Sequence, residues 1–205
     1  FGERVTGLRY YWFVETTLHG IPVVVTRTGW TGEVGYEIYL RDGSRGSELW
    51  DRVMEAGEAH QIRAIAPSDQ RRLEAGIFNY GNDMTVEDTP FHISGMERLV
   101  EFEAEFIGKE TLRRVAAEGV DRKLVGVTLT GEPFRMWLED FWDVRRAGQV
   151  VGRLVSASHS FRLKENIGYA WVPIELAEPG TELEVLSPDG PVAALYKKIA
   201  RRCAV

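Results

Sequence analysis

Cysteine is almost missing from this sequence. Of 205 residues only Cys203 is one. No internal disulfide can form, and a reducing, cytoplasmic setting is expected. Long apolar runs are missing too. None approaches the roughly 20 residues that a membrane helix needs, and no basic-then-apolar leader opens the chain. No membrane partner is therefore expected. The chain starts with Phe1, not Met, so its true amino terminus is expected to lie upstream. Histidine is scarce and scattered. His19, His60, His92 and His159 form no H-x-x-x-H pair, and no thiols cluster to help them, so no metal site is expected. Cations are outnumbered: Lys and Arg total 25 against 31 Asp and Glu, for a net charge of −6. Their dispersal excludes a phosphate-backbone footprint, and with it nucleic acid. There is no G-x-S-x-G, no G-x-G-x-x-G after a strand and no P-loop, which demotes covalent and nucleotide chemistry.

What is present is a globular composition with a core: 44% hydrophobic and 27% charged. Residues 8–18 and 21–27 are aromatic and β-branched runs around His19-Gly20, and read as a hairpin. Thr28 to Gly35 holds three glycines, the mark of a bent loop that needs positive φ or close approach. A short strand is predicted over Tyr36–Leu40 and a helix over Gly46–His60. Ser68 and Asp69 suit the start of a second helix, running to about Phe78 and stopping near Tyr80-Gly81-Asn82-Asp83. A third helix fits Gly108–Glu118, ended by Gly119.

The texture changes near Asp121. Short β-type runs follow at Leu124–Leu129, Gln149–Ser156, Ile167–Val172, Leu183–Leu186 and Val192–Ile199, separated by Gly or Pro. These predict a small antiparallel barrel or sandwich. The fold class is α+β, with an α+β part over 1–120 and an all-β part over 121–205.

Two places could carry chemistry. In a strand, Glu37 and Tyr39 share one face and Tyr36 and Ile38 the other. The glycine loop brings Trp30 close to that strand's start. A carboxylate among aromatics can grip a flat, nitrogen-rich ring by accepting parallel N–H bonds. Taken alone, the pattern equally fits a half-buried strand with a solvent-facing Glu37, which is the commoner case. In the helix after Asp69, Leu73 and Ile77 form a core stripe, while Arg72 and Gly76 share a neighbouring face. A mid-helix glycine costs on the order of 1 kcal/mol against alanine, which suggests close approach at Gly76. Arg72 could then offer fixed donors to an anion or a ring carbonyl. An ordinary surface arginine near Glu74 is the competing reading.

Together these motifs resemble one family. Thr26-Arg27-Thr28-Gly29-Trp30-Thr31-Gly32-Glu33-Val34-Gly35-Tyr36-Glu37-Ile38 is similar to the R-T-G-[YW]-T-G-E-x-G-[YF]-E-[IV] segment of the glycine cleavage T-proteins. Arg72-Leu73-Glu74-Ala75-Gly76 and Tyr80-Gly81-Asn82-Asp83-Met84 resemble that family's R-L-E-A-G helix and the turn after it. Thr89-Pro90, Phe106-Ile107-Gly108-Lys109 and Asn166-Ile167-Gly168-Tyr169-Ala170 follow in the family's order. The resemblance covers nearly the whole chain. It implies the carboxy-terminal part of a folate-binding α+β domain, then a small β-barrel, with tetrahydrofolate as cofactor. Glu37 matches the glutamate that pairs with the pterin ring and Arg72 the arginine beside the folate. Trp30 stands where a tyrosine usually lines the pocket, and Tyr39 and Tyr80 are implied to bind the cofactor with them.

The implied activity is tetrahydrofolate-dependent aminomethyl or methyl transfer from a small amine or onium substrate. In the glycine-cleavage branch a lipoyl carrier protein would be the partner. Trp30, Glu37, Tyr39 and the Tyr80 turn also resemble the dimethylsulfoniopropionate demethylases. A tryptophan face attracts an onium by cation–π contact worth roughly 0.5–2 kcal/mol. A third possibility is a folate-binding protein without transfer activity, although the K-G-C-[YF]-x-G-Q-E motif of such relatives is replaced by Phe106 to Glu110, with no cysteine.

Three departures stand out. The family's amino-terminal half, with the aspartate thought to orient the reacting centre, has no counterpart, so no catalytic residue can be named and this chain alone is expected to be inactive. Self-association through an exposed channel face is expected for the same reason. Ser160-Phe161 replaces a serine-proline step. The tail after Asp189-Gly190-Pro191 does not match, and no carboxy-terminal folate arginine carries over.

Overall fold

A computed structural model describes residues 2–134, 138, 140–188 and 190–196. The predicted strand end at 197–199, Asp189 and Cys203 lie outside the described residues. The chain divides into two compact units, one ending at Ser68 and the other beginning at Asp69.

The first unit opens with a one-turn helix, α1 (Glu3–Thr6), followed by β1 (Phe13–Leu18), β2 (Ile21–Thr26) and β3 (Glu37–Leu40). They form an antiparallel sheet in the order β1-β2-β3. His19 and Gly20 both have positive φ, 47° and 77°, as a two-residue hairpin turn requires. The period of two separates the faces. Val14, Val25 and Ile38 stand in one cross-strand row, on the face that packs the unit's small core of Val5, Ile21, Val23 and Val25. Phe13, Thr26 and Glu37 form a row on the opposite face, and Glu15, Val24 and Tyr39 form the next. Helix α2 (Gly46–Gly57) continues into a 3₁₀ turn at Glu58–His60.

The second unit begins with α3 (Asp69–Ala75). It is shorter than predicted. Gly76 is not a mid-helix close approach: at φ 73° it is the left-handed residue that ends the helix, with Ile77 N–H donating back to Arg72 O at 2.8 Å. Helix α4 (Lys109–Glu118) is closed by Gly119. Six strands follow: β4 (Arg122–Leu129), β5 (Trp142–Arg146), β6 (Gln149–Ser160), β7 (Glu165–Pro173), β8 (Glu182–Ser187) and β9 (Gly190–Tyr196). They close into an antiparallel barrel in the order β4-β7-β6-β5-β8-β9. A closed barrel leaves no edge strand.

Two cores share the barrel wall. Val125, Val127, Leu154, Ala170, Val172 and Val185 fill one. Leu124, Val155, Ile167, Tyr169 and Trp171, which alternate with them along β4, β6 and β7, pack with Leu73 of α3 and Ile93. Strand β7 is therefore buried on both faces, which explains its unbroken apolar run from Ile167 to Val172.

Candidate functional site

The candidate residues fall into two groups, each described within its own unit. In the first unit, the carboxylate of Glu37 begins β3. Its Oε2 accepts from the Thr28 hydroxyl and, at 3.2 Å, from the Tyr39 hydroxyl. Thr26, its cross-strand partner, is hydrogen-bonded to Thr28. Two threonines and a tyrosine thus orient one carboxylate oxygen, while Oε1 takes no hydrogen bond from the described residues. The charge on Glu37 raises the Tyr39 phenol above its ordinary value of 10.0, first by repulsion of the phenolate and then by accepting its hydrogen bond; the Thr26 and Thr28 hydroxyls pull weakly the other way. The shared face of Glu37 and Tyr39 is the one expected from strand alternation. Trp30 lies half-buried in the loop before β3. Among that loop's glycines only Gly32 has positive φ. Gly29 and Gly35 have neither positive φ nor a close neighbour, and nothing in the structure explains them.

In the second unit, Arg72 is 1% exposed. It is not an ordinary surface arginine. Its Nε donates to Asp69, Nη1 to Asp83 Oδ2 at 2.6 Å and to Ile77 O at 3.2 Å, and Nη2 to Ser156 Oγ at 2.8 Å. At least four of its five N–H donors are thereby committed to protein acceptors. Sequence reasoning missed Asp69, Asp83 and Ser156 as its partners. Asp69 is adjacent on the helix at i−3 and could have been found by that spacing. Ser156 is 84 residues away and left no local signal.

Tyr80 belongs to the turn that supplies Asp83. Gly81, at φ 87°, lets the chain double back, and Gly81 N–H donates to Met84 O at 2.8 Å. The Tyr80 side chain is 64% exposed. A pocket of about 260 Å³ is lined by Asp69, Arg72, Asn79, Asn82, Val155 and Ser156, with Leu138 and Ala157. A larger cavity of about 770 Å³ lies at one end of the barrel, beside Leu129, His159, Asn166 and Ala194, and none of the candidate residues lines it. Among the described residues, no three His, Cys, Asp or Glu side chains are grouped to hold a metal ion, and no helix is long and apolar enough to cross a membrane.

The residues fit a pterin cofactor in one respect that can be read from the chain itself. Among the described residues one Glu37 carboxylate oxygen has no donor, on a sheet face that also carries Phe13 and Tyr39. A flat ring bearing N–H groups supplies what such an oxygen lacks.

The family model of the GCVT N-terminal domain matches residues 3–104, and that of the glycine cleavage T-protein C-terminal barrel domain matches residues 122–197. The dimethylsulfoniopropionate demethylase DmdA of Ruegeria pomeroyi is 34% identical over 192 residues, 93% of this chain and 51% of that protein. An aminomethyltransferase of Synechococcus is 36% identical over 205 residues, 98% of this chain and 55% of that protein. The chain spans about half the length of the curated relatives it matches. The crystal structure of the glycine cleavage system aminomethyltransferase T of Bartonella henselae has the same fold, with a TM-score of 0.78 at 22% identity over 96% of this chain and 54% of that one. By its two matched domains and their order, the chain belongs to the glycine cleavage T-protein family.

Proposed function

We propose that the protein moves a one-carbon group from a small amine or onium substrate to tetrahydrofolate. The observation that carries this reading is the Glu37 carboxylate, oriented by Thr28 and Tyr39 through one oxygen and, among the described residues, without a donor at the other. On this reading Glu37 accepts the pterin N–H groups, while Trp30 and Tyr39 wall the ring. Arg72 and Tyr80, in the second unit, are further cofactor-binding residues on the family resemblance, Arg72 as a fixed, charge-balanced group since its donors are largely committed. Bound tetrahydrofolate supplies the nucleophilic ring nitrogen that takes up the one-carbon unit. The protein's share is to orient that nitrogen and exclude water around it. Residues 1–120 form the folate-binding part and 121–205 the barrel domain. For the aminomethyl branch, which the Synechococcus relative's name supports, a lipoyl carrier protein would deliver the substrate.

A second reading is demethylation of an onium such as dimethylsulfoniopropionate. Two observations favour it: the Trp30 indole in the loop before Glu37, and the similarity to the Ruegeria demethylase.

The deciding measurement is calorimetric binding of 5-methyltetrahydrofolate, with Glu37→Ala alongside. Binding that is lost in the variant supports the pocket. Binding that survives Glu37→Ala removes the central assignment. Turnover of glycine-derived aminomethyl carrier or of dimethylsulfoniopropionate then separates the branches, and binding with neither turnover leaves a folate-binding protein without transfer activity.

A further inference from the structure

We infer that Asp83 is the positioning residue on which both folate-side groups of the second unit depend: it fixes the Arg72 guanidinium and the turn that carries Tyr80. The inference rests on the folate reading above and adds to it a residue that touches no ligand.

Asp83 is 0% exposed. Its Oδ2 accepts from Arg72 Nη1 at 2.6 Å and from the Asn79 backbone N–H at 2.7 Å. Its Oδ1 accepts from the Ser156 hydroxyl and from Asn82 Nδ2 at 3.2 Å. Four donors occupy the roughly four lone-pair sites that a carboxylate offers, so the group has no freedom to turn. Its backbone carbonyl is held as well, by Trp171 Nε1 at 2.9 Å. The carboxylate therefore ties three elements: helix α3 through Arg72, the 79–84 turn through Asn79 and Asn82, and strand β6 through Ser156. Asp69 grips the guanidinium at Nε and Asp83 at Nη1, and two anchors on different sides of a planar group fix its plane. The same oxygen that holds Arg72 also caps Asn79 N–H, the first residue of the turn whose next residue, Tyr80, stands exposed. An amide cannot take the place of this carboxylate. An asparagine NH₂ would meet two N–H donors, Arg72 and Asn79, on one side, and on the other the Asn82 amide and a Ser156 hydroxyl that already accepts from Arg72 and Asn82.

The test is a double-mutant cycle read by 5-methyltetrahydrofolate affinity, with parent protein, Asp83→Asn, Arg72→Lys and the double variant. Guanidinium NMR signals of Arg72 and the melting temperature are recorded for each. Asp83→Asn weakens binding about tenfold in the parent and only about threefold in the Arg72→Lys background, the remainder being the share carried through the Tyr80 turn, because coupled residues do not add. The Arg72 guanidinium signal, sharp in the parent, broadens in Asp83→Asn. Asp83→Glu, which keeps the charge, restores part of the affinity.

A lowered melting temperature with unchanged affinity would show a purely structural residue and overturn the inference, as would equal losses in both backgrounds. Should Asp83→Asn fail to fold, Ser156→Ala removes one donor to Asp83 and one acceptor of Arg72. It is expected to weaken binding about threefold, and unchanged affinity there is equally fatal. A parent protein that binds no folate brings down the cofactor reading itself, and this inference with it, before any variant is compared.

Discussion

Glu37 and Tyr39 make a matched pair whose ionisation is linked. Because repulsion from Glu37 raises the Tyr39 phenol, Glu37→Gln is expected to bring Tyr39 back down toward 10.0. The phenolate absorbance of the variant, corrected by that of Tyr39→Phe, checks this; a midpoint that does not fall would show that the carboxylate is not the cause. The sign carries into stability. A raised folded value means that Tyr39's contribution is complete below the unfolded value and is lost as pH rises through the folded one. Arg72 calls for a different test. Arg72→Met leaves Asp83 buried without its cation and is expected to cost about 3 kcal/mol or more, measured by urea denaturation. A loss under about 1 kcal/mol would mean that Asp83 finds water or another donor. The Glu37–Tyr39 face was legible beforehand because strand alternation is a local rule. The burial of Arg72 was not, because Asp83 and Ser156 reach it from 11 and 84 residues away.

At the scale of elements, most of the second unit's strands could be read from β-branched runs bounded by Gly and Pro. Strand β5, Trp142–Arg146, could not. Asp143, Arg145 and Arg146 give it the look of a polar loop, and its core-facing residues are Val144, 1% exposed, and the partly buried Trp142. The end of α3 was misread for a related reason. A glycine inside an apolar period looks like close packing, whereas Gly76 turns the chain away. Close packing occurs instead at Gly168 in β7, where an added Cβ would collide with the Ser156 carbonyl and crowd Leu154 and Ala157. Gly168→Ala is expected to cost about 2 kcal/mol by overpacking, with a matching fall in thermal midpoint. Since the collision is with the backbone of Ser156, the Arg72 network should loosen with it.

For the molecule as a whole, the two compact units differ in how they are built. The first rests on a three-stranded open sheet over a core whose buried members are Val5, Ile21, Val23 and Val25. The second has a closed wall with apolar layers on both sides of β4, β6 and β7. Local opening follows buried apolar content. Hydrogen exchange in β1–β3 is therefore expected to be faster than in β4, β6 and β7, and equal protection would mean that the two units open as one. Tyr11, Trp12 and Phe13 of the first unit are all more than half exposed, and sedimentation velocity across a concentration series will show whether this face brings copies together.

The barrel's seam has a consequence for how the protein is made. Closure pairs residues 127–129 of β4 with residues 194–196 of β9, the first strand of the barrel with the last. A ribosome must therefore deliver all six strands before the cylinder can seal, and until then β4 waits with one row of amides unmatched. Nascent chains stalled between β8 and β9 should be the form that chaperones hold and proteases cut.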